Sequence, residues 1–468
     1  MTDARLLWTE YPYQAGFCVT DDTDDATLGQ TKAVYDFLIA KDFVTTKTVW
    51  PFHPSEPSGI PATPSSTLRG ITLEDAGYRD YCVMLAERGF EISLHSASAG
   101  NNKRHRMAEA FEVMERSFGG SSAGGASGTF ICHSKNAENI YWGSKVTKLF
   151  PFNLILRYLD RHDFGGEKES GDYFWGDMCR SKIDQIRLYR TRCVNTLKRN
   201  PSMPYHDSGK HFVNSWFSAT KRRIADCATP AALRKLQEEN GLTVLYQYLH
   251  RYADPVTLEL NRGFVDAVEA ITLDPGIHVA TVSRHMQRLR MIRGVFVVCD
   301  GDNHWMVNTN DAPIRNLQFA LSDSTDVKME SAQVYQRGDR LVIPDIPGRG
   351  SVYFRCPEKF GFKKCRVVKI PTDGELGLDL DGMRIRIFVP DIGQLISRPA
   401  TVDFELDSYA TTNQKLPTKS ASLLEEYRLI LEQLYIIARE ILFKGRSLDS
   451  NKFLDANHAI PLENHDNW

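Results

Sequence analysis

The chain has 468 residues, 42% of them apolar, and its 57 basic and 59 acidic residues leave a net charge of −2. It is long enough to bury a sizeable core and exceeds the ~100 to 200 residues of one ordinary domain, so we expect two or three domains. Because the charges nearly cancel, the composition excludes a global field that would attract nucleic acid or an anionic membrane, and recognition must be local.

The first residues and the cysteines indicate the compartment. Residues 1–8 lack the basic start, apolar run and small-residue cleavage site of a secretory signal, and no stretch of ~18 apolar residues occurs. The nine cysteines are scattered and form no Cys-x-x-Cys pair. We therefore expect a cytoplasmic protein with reduced thiols and no transmembrane segment.

Up to residue 293, short apolar runs alternate with stretches of helical periodicity. Apolar runs occupy 16–20, 45–52, 90–94, 129–132, 242–249 and 277–281, and helical patterns occupy 26–40, 107–118 and 264–271. Alternation of this kind is typical of a parallel sheet or a (β/α) barrel. We predict that residues 1–293 form one α/β domain of this type.

After residue 293 the pattern changes to short strands separated by turns. Candidate strands lie at 295–298, 305–307, 317–321, 340–343, 351–355, 366–370 and 383–389. Evenly spaced strands with turns rich in Gly, Pro and Asn predict a β-sandwich, which we assign to residues 294–410. We expect this sandwich to be a separate accessory domain.

The last predicted region comprises residues 411–468. Within it, apolar residues repeat at helical spacing from 420 to 443, which predicts a helix with one apolar face. An apolar face of this length has to be buried against another surface. The pattern leaves open whether the helix packs on its own chain or on the same helix of a second copy in a homodimer.

Reactive side chains follow four of the predicted strands in the first domain. Residues Asp21 to Asp25 follow the first strand, and His95, His133 and His250 lie at or after the ends of three others. The active site of a (β/α) barrel is assembled at the carboxyl ends of its strands, so these groups are predicted to converge. Acidic residues before a helix also act as caps, which is the alternative for Asp24 and Asp25.

Around these residues the sequence resembles the polysaccharide deacetylases of carbohydrate esterase family four. Val19-Thr20-Asp21-Asp22 resembles the Asp-Asp motif of that family, and Phe90 to Ser96 resembles its histidine motif. Residues 131–143 and 201–207 resemble a subgroup found among surface-polysaccharide proteins. The resemblance spans residues 13–290 and implies a distorted (β/α) barrel that hydrolyses an acetamide on an N-acetylated sugar.

The resemblance also implies roles for individual residues. Asp21 corresponds to the general base, and Asp22 and His95 correspond to ligands of a divalent metal, for which zinc is the expected ion. His250 corresponds to the histidine that protonates the leaving amine, and the two-residue period of a strand ending at 250 would point it into the barrel mouth.

A third metal ligand is needed, because a catalytic zinc-type site generally has about three protein ligands and a water. The second histidine of the family motif is replaced here by Ala99, which has no donor atom. We predict that His133, at the next strand end, supplies the missing ligand. His105, in a predicted helix among basic residues, is the less favoured alternative.

A sugar substrate needs aromatic and polar side chains around the mouth. Candidates in the loops that the resemblance covers are Asn139, Trp142, Trp175, Tyr205, His206 and Trp216. Core packing explains the aromatic members of this set equally well.

Three functions stay open from the sequence. The first is metal-dependent deacetylation of a polysaccharide or of a nucleotide-linked or lipid-linked sugar. The replacement by Ala99 motivates the second, a metal-independent amidohydrolase on the same scaffold. The third is a carbohydrate-binding protein without catalytic activity.

Overall fold

A computed structural model describes the chain over the ranges 2–58, 70–119, 128–133, 135–159, 163–205, 207, 209–322, 327, 329–331, 333–356, 360–369, 375–380, 383–388, 404–406 and 427–436. The chain divides into two compact units. One consists of Met1–Ala15 with Met286–Thr418, and the other consists of Gly16–His285 with Lys419–Trp468.

The larger unit is built on a closed barrel of parallel strands. After β1 (Thr2–Leu7), which belongs to the other unit, its strands are β2 (Ala15–Asp21), β3 (Thr46–Val49), β4 (Glu91–Leu94), β5 (Thr129–Phe130), β6 (Gln185–Thr191), β7 (Trp216–Thr220) and β8 (Leu242–Gln247). They pair in this order, β8 pairs with β2, and β2 pairs with β3, which closes the ring; β9 (Ile277–Val279) lies beside β2. The predicted (β/α) barrel is confirmed.

The burial of the barrel strands explains why they read as continuous apolar runs. All residues of β2, β3, β4 and β7 are buried, as expected for parallel strands that are covered on both faces.

The helices are α1 (Leu28–Ala40), α2 (Ala76–Glu87), α3 (Arg104–Phe118), α4 (Phe152–Leu159), α5 (Gly176–Lys182), α6 (Thr196–Arg199), α7 (Ile224–Cys227), α8 (Pro230–Glu238), α9 (Arg262–Thr272) and α10 (Val282–Arg293). None of the helices in the described ranges has both the length and the apolar composition needed to cross a bilayer.

The cap of α1 lies later than the sequence suggested. The side chain of Thr27 accepts a hydrogen bond from the backbone N–H of Gln30 and caps the helix, and neither Asp24 nor Asp25 does so. The capping alternative for Asp24 and Asp25 is therefore wrong. Because the helix begins only at Leu28, the acidic segment after β2 is left at the mouth of the barrel.

The smaller unit consists of β-sheets. Its strands, with β1, are β10 (Val295–Asp300), β11 (Asn303–Asn308), β12 (Ile314–Leu321), β13 (Tyr335–Arg337), β14 (Arg340–Ile346), β15 (Gly350–Arg355), β16 (Phe360–Lys363), β17 (Arg366–Lys369), β18 (Glu375–Leu380), β19 (Met383–Phe388) and β20 (Phe404–Leu406). They form sheets in the orders β13-β14-β12-β1-β16, β15-β11-β10-β17 and β18-β19-β20. The first two sheets share one apolar core, which a β-sandwich requires, and the sandwich assignment stays a prediction.

The position of β1 differs from the predicted domain limits, which placed residues 1–293 in the barrel. Strand β1 pairs antiparallel with β12 and parallel with β16, and its Ala4 and Leu6 lie in the apolar core of the smaller unit. Backbone pairing between residues about three hundred positions apart leaves no local trace in a sequence pattern, which is why the boundary was placed differently.

The C-terminal helix is described over residues 427–436 and packs on the barrel of its own chain. Strand β5 pairs only with the first two residues of β6, so the later N–H groups on that side of β6 need other partners. The side chains of Gln433 and Glu432 accept these hydrogen bonds from the backbone N–H groups of Arg190, at 3.0 Å, and Arg192, at 2.8 Å. The packing on its own chain accounts for this part of the helix, and the homodimer stays a prediction.

If residues 427–436 pack on their own chain, Leu429→Ala should destabilise the protein by about 2–5 kcal/mol, because Leu429 is 0% exposed and its truncation leaves a cavity. Leu431→Ala, at a position that is 53% exposed on the same helix, should change stability by less than about 0.5 kcal/mol. Urea unfolding at two protein concentrations measures both. A loss of stability that grows on dilution would instead support the homodimer.

Candidate metal centre at the barrel mouth

The carboxyl ends of three barrel strands bring one carboxylate and two imidazoles together. Asp24 follows β2 by three residues, His95 comes directly after β4, and His133 follows β5 by three residues. All three side chains are buried. Each offers one ligand atom, and these atoms lie within 4.8 Å of one another.

Asp24 lies between the two imidazoles. Its Oδ1 is 2.9 Å from Nε2 of His133, and its Oδ2 is 3.4 Å from Nε2 of His95. Burial alone would raise the pKa of Asp24, but the hydrogen bonds and charges of His133 and His95 outweigh burial and hold this pKa well below its ordinary value. Asp24 is therefore anionic at neutral pH and could serve as a ligand.

The other nitrogen of each imidazole has a fixed partner. Nδ1 of His95 lies 2.9 Å from the carbonyl oxygen of Ile131, and Nδ1 of His133 lies 2.8 Å from Oδ1 of Asn136. Both partners accept hydrogen bonds, so both Nδ1 atoms carry hydrogen, and each Nε2, which faces Asp24, is the atom that would present a lone pair to a bound metal ion. This orientation by an outer hydrogen bond is typical of histidines that bind a metal.

The orientation of the Asn136 amide follows from its own contacts. Its Nδ2 donates to the carbonyl oxygen of Ser98 at 3.0 Å and to Oε1 of Glu138 at 2.9 Å, so Oδ1 is the atom left for His133. Glu138 is buried and also accepts from Asn102 and from the hydroxyl of Ser96. Burial is the main reason that its pKa is raised.

These residues fit a divalent metal ion. One aspartate and two histidines are ligands that zinc accepts, and three protein ligands leave a position for water, as in catalytic rather than structural zinc sites. Oδ2 of Asp24 is buried and has no well-formed hydrogen bond, only the 3.4 Å contact with Nε2 of His95, and such an oxygen costs free energy unless a ligand compensates it. Ala99 is buried without a donor atom, and His105 is exposed on α3 outside the cluster.

Asp22, predicted as a ligand, lies beside the cluster rather than in it. Its Oδ1 and Oδ2 accept hydrogen bonds from the two terminal nitrogens of Arg187, at 2.9 and 2.7 Å. Arg187 is itself buried on β6, and its guanidinium lies 4.0 Å from the centre of the Tyr246 ring. Asp22 nevertheless reaches the site, since its Oδ2 is 3.8 Å from Nε2 of His95.

Asp21, predicted as the general base, is held in a buried ion pair. Its Oδ2 accepts from Nζ of Lys47 at 3.0 Å and from the hydroxyl of Tyr35 at 2.9 Å, and its Oδ1 accepts from the backbone N–H of Leu249 at 2.6 Å. These contacts join β2 to β3 and to the segment after β8. They account for the burial of the Asp21 carboxylate, and its role as the general base stays a prediction.

His250, the predicted acid, lies in a 3-10 helix, Leu249–Tyr252, just beyond β8. The side chain is buried and its Nδ1 has no hydrogen-bond partner. Burial, together with the positive charges of Arg251 and Lys47, lowers the pKa of His250 to about 3. The imidazole is therefore neutral at pH 7.

The predicted sugar-binding residues have different environments. Trp175 and Trp216 are both 0% exposed; Trp175 donates to the carbonyl oxygen of Glu138 and packs against Phe130, so core packing accounts for it. Tyr205 is also buried, whereas Trp142 is partly exposed. Asn139 is buried and donates to the carbonyl oxygen of His133, and His206 lies outside the described residues.

Sequence reasoning missed Trp50, which forms one wall of the centre. Its ring stacks on His95 with centroids 6.0 Å apart, and its Nε1 donates to the carbonyl oxygen of His95 at 2.7 Å. It also meets the edge of His133 at 5.7 Å. A signal was available, because Trp50 directly follows β3 and so lies at a strand end like the ligands. Arg187 and Glu138 carried no comparable signal.

Comparison with known proteins gives likenesses in structure only. No family model matches the sequence, and no curated protein is found as a relative. A Mycobacterium smegmatis protein assigned as a polysaccharide deacetylase is 10% identical with a TM-score of 0.32, over 60% of this chain and 93% of its own. The carbohydrate deacetylase Agd3 is 10% identical with a TM-score of 0.37, over 74% of this chain and 65% of its own.

A glycoside hydrolase is also similar, at 12% identity and a TM-score of 0.20, over 73% of this chain and 89% of its own. TM-scores this low assign neither a family nor an activity to this chain. The function therefore has to be inferred from the site itself.

Lys47→Met should destabilise the protein by about 3–5 kcal/mol, because it leaves the buried carboxylate of Asp21 without its cation. Lys41→Met is the matched control, since Lys41 pairs with Glu269 at 2.8 Å where both side chains are about one third exposed, and it should cost at most about 1 kcal/mol. Urea unfolding compares the two. Equal small losses would show that Asp21 does not depend on Lys47.

Proposed function

We propose that the barrel is a metal-dependent hydrolase that removes the acetyl group from an N-acetylated sugar. The observation that carries this proposal is the buried cluster of Asp24, His95 and His133, with both imidazoles oriented by outer hydrogen bonds. A divalent ion held by these three residues would lower the pKa of a bound water toward about 7 and polarise the amide carbonyl. Zinc is the ion we expect from the ligand types.

Asp24 replaces Asp22 as the acidic ligand in this proposal. Both oxygens of Asp22 are occupied by Arg187, whereas Asp24 lies within reach of both histidines. Arg187 holds the Asp22 carboxylate in one orientation beside His95 through two parallel hydrogen bonds. We assign to Asp22 the task of accepting the proton of the attacking water, which the sequence motif had given to Asp21, because Oδ2 of Asp22 lies 3.8 Å from Nε2 of the proposed ligand His95.

His250 is assigned to the leaving amine. An amine anion is a very poor leaving group, so the nitrogen must gain a proton as the C–N bond breaks. A neutral imidazole has to take up a proton before it can donate one, and its unpartnered Nδ1 is an atom at which it can do so. Trp50 would keep His95 in place and exclude water from one side of the centre.

The substrate class rests on the resemblance of the motifs around Asp21 and His95 to those of polysaccharide deacetylases. Among the predicted aromatic contacts, Trp142 is the one that is partly exposed, and we assign to it the stacking on a sugar ring. The metal-independent amidohydrolase is the competing function, and metal removal separates the two.

Asp24→Asn and His133→Ala should each lose bound zinc and reduce acetate release from N-acetylated oligosaccharides at least about a hundredfold, because each removes one of three ligands. His105→Ala, which changes an exposed histidine on α3, is the control and should retain both the bound zinc and the acetate release. Metal content by elemental analysis is measured beside acetate release. Full activity of the wild type after exhaustive chelation would establish the metal-independent reaction instead.

Asp22→Asn should keep its zinc and lose roughly 10²- to 10⁴-fold in kcat, the range that general-base catalysis contributes. Asp21→Asn should chiefly lower the free energy of unfolding, since Asp21 is bound to Lys47 and Tyr35 away from the cluster. Steady-state kinetics, metal content and urea unfolding are measured on both variants. Loss of zinc in Asp22→Asn with zinc retained in Asp24→Asn would return Asp22 to the ligand role.

A further inference from the structure

The large hydrophobic side chains that the protein exposes are concentrated in one region. Of the eleven exposed side chains of this kind among the described residues, seven lie within 150–158 and 427–435. Single exposed apolar residues are ordinary, but a contiguous apolar patch on a globular protein marks an interaction site.

The patch consists of two stripes with four-residue spacing. Phe150, Leu154 and Tyr158 form one stripe along α4 and the residues before it, and Tyr427, Leu431 and Tyr435 form the other along the C-terminal helix. The two segments are in contact, since the rings of Phe152 and Tyr427 lie 4.9 Å apart. We call these six residues the paired stripes. Their spacing gives each helix one continuous apolar face.

The paired stripes lie beside the mouth of the barrel. Gln433 and Glu432 of the C-terminal helix bind the backbone N–H groups of Arg190 and Arg192, at the carboxyl end of β6. Helix α4 lies in the connection from β5 to β6, which starts at the strand end that carries His133. Both stripes are thus attached to the end of the barrel that carries the metal cluster.

The exposed charges within the two segments that carry the paired stripes are cationic. Lys148, Arg157 and Arg428 are exposed there, and Lys148 also lies near the carboxylate of Asp207. Residues 148–159 contain no Asp or Glu, and the one acidic residue in 427–436, Glu432, is buried and paired with Arg199 at 3.1 Å. Within these segments, exposed side chains are therefore apolar, aromatic, cationic or uncharged.

A second copy of the chain is a poor occupant for this surface. An isologous dimer places the same patch on both sides of the interface, so the cations of each copy would meet segments that offer no exposed carboxylate to pair with them. An anionic lipid surface satisfies both features of the patch. Aromatic and aliphatic side chains enter the boundary of the acyl chains, while Lys and Arg reach the head groups.

We propose that the paired stripes dock this protein on an anionic lipid surface. Such docking would hold the barrel mouth close to the membrane and favour sugars that are lipid-linked or displayed at a membrane. This last step rests on the proposed deacetylase function, whereas the docking itself does not. The net charge of the whole chain is close to zero, so no global field attracts the protein to an anionic membrane. Attraction to such a membrane would have to come from a local patch such as the paired stripes.

Vesicles test the docking on the full chain. We expect cosedimentation with vesicles of equimolar phosphatidylcholine and phosphatidylglycerol, weaker binding to phosphatidylcholine alone, and weakening by salt. The double variant Leu154→Ser with Leu431→Ser should lower the affinity about tenfold or more. Arg157→Gln with Arg428→Gln should remove most of the preference for phosphatidylglycerol.

The matched control changes exposed hydrophobic residues elsewhere on the barrel unit. Val256→Ser with Leu273→Ser, at positions 87% and 81% exposed, should leave vesicle binding unchanged. Thermal melting checks that every variant is folded. Vesicle binding that is the same in the Leu154→Ser, Leu431→Ser variant as in the wild type would overturn the proposal. The proposal would also be overturned if sedimentation equilibrium without vesicles showed that the wild type is a dimer and that this variant is a monomer.

The docking and the deacetylase function can fail separately. Asp24→Asn should lose acetate release and keep vesicle binding, because Asp24 lies in the buried metal cluster and not in the paired stripes. The Leu154→Ser, Leu431→Ser variant should lose vesicle binding and keep its kcat on a water-soluble oligosaccharide. Loss of both properties in this variant would mean that the stripes support the fold of the site rather than a lipid surface.

Discussion

The candidate centre depends on how the aspartates after β2 are neutralised. Asp21 is paired with Lys47, Asp22 with Arg187, and Asp25 lies 3.5 Å from Arg251. Among the described residues Asp24 has no Lys or Arg partner; its neighbours are the imidazoles of His95 and His133. A buried carboxylate without a permanent cation is costly, and a divalent ion or protonated histidines are the groups that can offset the cost. Two buried cations, Lys47 and Arg187, and the partly exposed Arg251 thus pair with the other aspartates and leave Asp24 as the one available to a metal ion.

The same ion pairs hold the barrel closed around the site. Lys47 on β3 and the N–H of Leu249 after β8 both bind Asp21, and Arg187 on β6 crosses the interior to Asp22. The barrel strands are therefore linked through these side chains as well as through the backbone hydrogen bonds between neighbouring strands. Removing one partner would leave a buried charge and would also loosen the position of the adjacent ligand. Stability and the geometry of the centre are coupled for this reason.

On the His133 side, a network of hydrogen bonds takes the place of these ion pairs. Asn136 accepts from His133 and donates to Glu138, which Asn102 and Ser96 also bind. Trp50 covers the opposite face of the pair of imidazoles.

The sequence by itself determined the barrel, since apolar runs alternating with helical periods require strands covered by helices, and it located reactive residues at strand ends. It also singled out His133 as the donor in place of Ala99, and the structure places His133 in the cluster. Only the tertiary structure decided which aspartate joins the histidines, because Asp21, Asp22 and Asp24 are adjacent in the motif and differ in partners from distant strands. For the same reason, the sequence left open whether Trp175 and Trp216 bind sugar or pack in the core. Their burial depends on residues that are distant in the sequence and that a local pattern does not identify. The pairing of β1 with β12 and β16 was equally invisible, because long-range backbone pairing is set by how the chain closes on itself and not by the residues of the strand alone.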